Sequence, residues 1–103
     1  MKTLAAVALP AALAVAGPAA AQQVIADVGF VNSEAVRYDA ADDRYIVTNL
    51  GPRGAGNDGF ISLVSPDGVV LDLKWIEGDT NGVSLREPLG LFIRQDEIHV
   101  ADQ

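Results

Sequence analysis

The sequence predicts an all-β protein made of short antiparallel strands, and three observations point there. After residue 21, short runs of β-branched, aromatic and aliphatic residues alternate with clusters of Gly, Asp, Asn and Pro. No window of that region sustains a helical period. A strand, turn and strand pattern recurs more than fifty residues after its first appearance.

Taken in order, residues 1–21 (MKTLAAVALPAALAVAGPAAA) hold a single charge, Lys2, then an Ala/Leu/Val run and a small-residue end ahead of Gln22. A positive start, an apolar centre and an A-x-A-type cleavage site read as a secretory signal peptide. Pro10, Gly17 and Pro18 interrupt an apolar run that is already short for a membrane span. Strands are expected over residues 24–28, 33–38, 45–49, 60–64, 69–75, 89–93 and 98–101. In the fifth, Val69, Leu71, Leu73 and Trp75 are expected on one face, with Asp72 and Lys74 on the other. Ser65-Pro66-Asp67-Gly68 joins two strands into a hairpin over residues 60–75, because Pro presets φ and Gly accepts positive φ. Residues 39–44 form a second hairpin connection, residues 51–59 (GPRGAGNDG) a longer loop, and residues 77–82 a further turn cluster.

Residues 33–38 correspond to residues 88–93 at an offset of 55, and residues 45–49 to residues 98–102 at an offset of 53. Each copy is a strand, an acidic turn and a strand ending in Asn or Asp, and the first is followed by the 60–75 hairpin. Four antiparallel strands at a period near fifty residues are the makeup of a β-propeller blade. The chain therefore reads as one blade and half of the next, residues 22–103 being the N-terminal part of a propeller truncated in its second blade.

Composition narrows the function. Removing 21 of the 103 residues leaves 82, with 6 basic side chains (7 less Lys2) against 14 acidic ones, a net charge near −8. Nucleic acid needs a basic face, so it is a poor partner, and stable membrane insertion after cleavage of the leader is not expected. There is no Cys, which excludes disulfide staples, zinc-thiolate sites and thiol catalysis.

The stretches SEAVRYDAADDRYIVTNL, DGFISLVSPDGVVLDLKWIEG and EPLGLFIRQDEIHVADQ resemble the start of the senescence-marker protein, gluconolactonase and luciferin-regenerating-enzyme-like propellers. The matching features are Glu34 before an apolar strand, the Y-I-V-T-N strand end, the G-F-I-S and P-D-G hairpin, the K-W pair and the P-x-G-L and V-A-D strand pair. They cover most of residues 29–103. NHL-type propellers share the later portion. The resemblance implies a six-bladed propeller, secreted or periplasmic, whose channel binds one divalent cation (calcium, zinc, magnesium or manganese) and which hydrolyses sugar lactones and related esters. Such a cation would polarise the lactone carbonyl and lower the pKa of bound water. Glu34 sits at the position of the family's first metal ligand. The other ligands, an Asn and an Asp, fall in blades missing from this chain. Ala35-Val36 replaces the family's usual small-Pro pair, which bears on sugar-lactone specificity. The alternatives are a non-catalytic NHL-like propeller binding a protein or glycan, and an inactive truncated product.

Other chemistry-bearing residues have plainer readings. Asp39, Asp42 and Asp43 lack the alternation of an EF-hand loop and read as turn residues, as do Asn57-Asp58-Gly59 and residues 79–82. His99 is the only histidine, set mid-strand between Ile98 and Val100, so a His-based metal site or a Ser-His-Asp triad has little support. The glycine-rich 51–59 loop has no G-K-[ST] ending, which argues against a phosphate cradle. Trp75 ends an apolar face and is expected to pack between blades.

Overall fold

The computed structural model describes residues 22–54 and 56–103, and the signal peptide expected over residues 1–21 lies outside them. The described residues form two antiparallel sheets and no helix. Strands β1 (Ser33–Asp39), β2 (Arg44–Asn49), β3 (Phe60–Val64) and β4 (Val70–Glu77) make a four-stranded meander in the order β1-β2-β3-β4. Strands β5 (Pro88–Arg94) and β6 (Glu97–Asp102) form a separate hairpin. Six of the seven expected strands are present at or within two residues of their expected ends.

The exception is residues 24–28, which are not a strand. Asp27 and Gly29 take positive φ (57° and 100°), which no extended ladder tolerates. Residues 23–30 lie instead across the four-stranded sheet. The Gln23 side chain donates to the Asp67 carbonyl at 2.8 Å. Gly29 comes so close to Leu73 that a Cβ there would meet its side chain at 2.7 Å.

The expected alternation of β4 also fails. Register against β3 slips twice, between the pairs at Ile61 and Leu63 and again between Leu63 and Val64. Each slip inserts extra residues into β4 and turns the side chains that follow. Leu71 and Val69 are therefore exposed, while Leu73 and Trp75 are half-buried. The Ser62 hydroxyl donates to the Leu73 carbonyl at 2.5 Å, which occupies an acceptor that the broken ladder leaves free.

The core lies between the two sheets. Ile46, Ile61, Leu63, Leu85 and Leu91 are buried together, with Ala35, Trp75, Ile76, Val83, Ile93, Ile98 and Val100 packed around them. One face of the meander, from Ala35 through Ile46 to Leu63, thus meets one face of the hairpin, Leu91 and Ile93 on β5 with Ile98 and Val100 on β6. The Thr48 hydroxyl donates to the Leu89 carbonyl at 2.8 Å and joins the sheets directly.

The sequence repeat is a structural one. In the first hairpin Ser33 pairs with Asn49 and Ala35 with Thr48, a one-residue bulge near the start of β1. In the second, Pro88 pairs with Asp102 and Leu91 with Val100, the same one-residue slip at the same place. The Asn49 carboxamide oxygen accepts from the Val31 amide at 3.1 Å. Asp102 accepts from the Arg86 amide at 2.9 Å and the Glu87 amide at 2.8 Å. Val31 and Arg86 are 55 residues apart and Asn49 and Asp102 are 53 apart, so each copy latches its first strand with the polar end of its second. The two-residue change of offset is the difference between a connection of four residues after Asp39 and one of two after Arg94.

Candidate functional site

Glu34 is the residue on which the sequence reading places metal chemistry. It sits in the bulge between Ser33 and Ala35, at the edge of the meander, and its side chain is exposed. Bulges re-aim a side chain out of the ladder and are enriched beside active sites. The backbone around it is firmly held. The Ala35 amide donates to the Thr48 hydroxyl at 3.1 Å, the Leu50 amide to the Asn32 carbonyl at 3.0 Å, and the Gly51 amide to the Val31 carbonyl at 3.1 Å. The bulge does not require a carboxylate, since the repeat-equivalent position in the second hairpin is Leu89.

Glu34 lines a shallow depression with Ser33, Ala35, Val36 and Val47. No three His, Cys, Asp or Glu side chains converge among the described residues. A hard cation takes six or more oxygen ligands, and Glu34 supplies at most two. The described residues by themselves do not complete a cation site.

The other acidic residues are engaged in holding turns. Asp39 is buried and pairs with Arg44 Nε at 3.1 Å, and Asp42 meets the same guanidinium at 3.3 Å. Asp43 takes positive φ (50°) and accepts the Tyr38 hydroxyl. Asn57 clamps the turn across from it: its oxygen accepts the Leu85 amide at 2.6 Å and its nitrogen donates to the Val83 carbonyl at 3.2 Å. Asp79 and Asn81 adopt positive φ in the turn. Asp58 Oδ1 is the only side-chain polar atom among the described residues that is buried without a partner. Sequence reasoning assigned Asn49 and Asn57 no role, because a buried amide latch leaves no motif in a single sequence.

Tyr38 ionises above its ordinary value of 10.0, chiefly because its hydroxyl donates to Asp43, with desolvation and the negative charge of that carboxylate adding to the shift. Folding thus favours the protonated phenol. The contact stabilises the fold below the ordinary pKa and is lost as pH rises through the raised value. In an alkaline titration followed by phenolate absorbance, Asp43→Asn is expected to bring the late-titrating tyrosine down. An unchanged curve would show that Asp43 does not hold it.

His99 stacks on Phe92 with ring centroids 4.8 Å apart and planes 10° apart, and it lies 3.4 Å from the Glu97 carboxylate. It is on the exposed face of the hairpin, away from the core, with no nucleophile beside it. Trp75 is half-buried at the seam between the sheets, with the Arg44 guanidinium 5.1 Å above its ring. A cleft of about 180 Å³ there is lined by Asp39, Arg44, Trp75, Asp96 and Glu97 among others. No helix among the described residues is long and apolar enough to cross a membrane. The chain matches no family model, no curated protein and no solved structure.

Proposed function

We propose that this chain is the N-terminal part of an exported six-bladed β-propeller hydrolase of the sugar-lactone or ester type, with residues 1–21 as its secretion signal. Its four-stranded meander would be the first blade and the β5–β6 hairpin the inner half of the second. One observation carries the propeller reading: both hairpins repeat the same bulge and the same polar latch, and the second packs face to face on the first. Stacking repeats so that each covers its neighbour is how propellers and related arrays bury their cores.

The catalytic part rests on the family resemblance and on Glu34, a carboxylate at a rigidly held bulge that the bulge itself does not require. Glu34 would supply oxygen ligands to one divalent cation, and the remaining ligands and any general base would come from later blades. In the full-length parent, Glu34→Ala is expected to lower divalent-cation-dependent lactone hydrolysis by more than about 100-fold, since even second-shell changes cost 10- to 100-fold. The fold would stay intact. Retained activity would remove the assignment and favour a non-catalytic NHL-like propeller. That reading draws support from the lack of converging ligands among the described residues and from the apolar faces they expose.

A further inference from the structure

The repeat relates a covered surface to a bare one. Leu91, Ile93, Ile98 and Val100, the face that the second hairpin buries on the meander, correspond to Val36, Tyr38, Tyr45 and Val47 in the first. In the first hairpin that face is largely open: Val36 is 50% exposed, Tyr38 49% and Tyr45 37%. Beside it Ile25, Phe30 and Val64 complete an apolar groove of about 390 Å³. The converse holds at the other end. Ala35, Ile46 and Thr48, which meet the second hairpin, correspond to Gly90, His99 and Ala101, and these share an uncovered face with Phe92, itself 53% exposed.

From this we infer that the chain binds a second copy of itself head to tail, the Phe92–His99 face of one copy seating on the Val36–Tyr38–Tyr45 face of the next. The contact would reproduce between chains the packing already present within one. Charge agrees with that pairing. Within the chain, the turn carrying Arg44 lies beside the turn at Gln95–Ile98, so the same packing between copies brings Arg94 toward Asp43, which edges the open face beside Tyr38. Glu97 is engaged by His99, which leaves Arg94 as the cation that faces the partner. The two faces differ, so the interface is heterologous and extends beyond a dimer into rings or chains. This inference rests on the repeat and not on the hydrolase assignment.

Sedimentation of the full chain across a range of concentrations tests it, with Val36→Asp blocking one face and Phe92→Glu the other. Both sites are half-exposed, and circular dichroism checks that each variant keeps its sheets. The wild type is expected to sediment as species larger than a dimer. Each variant alone is expected to be monomeric, and an equimolar mixture of the two is expected to form a 1:1 dimer through the one intact pair of faces. A monomeric wild type at high-micromolar concentration would overturn the inference, as would a mixture that stays monomeric. Association unaffected by either substitution would overturn it too, since that would place the contact elsewhere. None of these outcomes bears on Glu34.

Discussion

Ile46→Ala is expected to leave the protein mostly unfolded at room temperature. Ile46 is fully buried at the centre of the only core that the two sheets share. Truncating such a side chain costs about 2–5 kcal/mol, from lost transfer energy and from the cavity left behind. A domain of this size without disulfides has only about 3–5 kcal/mol of net stability from its core. Urea unfolding followed by far-ultraviolet circular dichroism measures the loss. A shift under about 1 kcal/mol would mean that the sheets are not packed through Ile46, and the face-to-face arrangement would fall with it.

Gly78→Ala is expected to be as damaging for a different reason. A Cβ at Gly78 would lie 2.5 Å from Asn57 Oδ1, 2.7 Å from the Leu85 carbonyl oxygen and 2.8 Å from the Asn57 carbonyl oxygen. Two of these are backbone atoms, and Asn57 is the clamp that holds Val83 and Leu85. Relief of the clash therefore breaks the clamp and the Gly78–Gly59 hydrogen bond at 2.9 Å. Overpacking costs about 1–3 kcal/mol, and each buried group left unpaired adds about 1–3 kcal/mol. Gly90→Ala is the matched control, because nothing lies within 4 Å of its missing Cβ. It is expected to be neutral or stabilising by up to about 1 kcal/mol. Equal effects at both positions would contradict the tight approach of the 51–59 and 78–87 segments.

Much of the fold was legible in the residues. The P-D-G turn closes as its chemistry dictates, with the Gly68 amide donating to the Ser65 carbonyl at 3.0 Å and Gly68 at φ 89°. The alternation in β2, β5 and β6 and the Gly, Asp and Asn punctuation located six strands. The repeat was visible because hairpins of one kind need the same residue types at the same places, down to the Asn or Asp that ends the second strand. Two features were not legible. VIADV over residues 24–28 has strand composition, yet Asp27 takes left-handed backbone and the segment crosses the sheet, a tertiary outcome that composition does not encode. The bulges of β4 moved Leu71 to the surface, and a bulge leaves no signature in an apolar alternation until its partner strand is known. The candidate site was legible only as Glu34 at a strand start. Its geometry as a bulged, unaccompanied carboxylate came from the pairing of β1 with β2.

The measurement that tests the propeller reading most directly is the intact mass of the native exported product, captured with an antibody to residues 29–75. A mass near that of a roughly 300-residue chain, about six blades of about 50 residues, is the predicted result. A mass matching the 82 residues left after removal of residues 1–21 would contradict it.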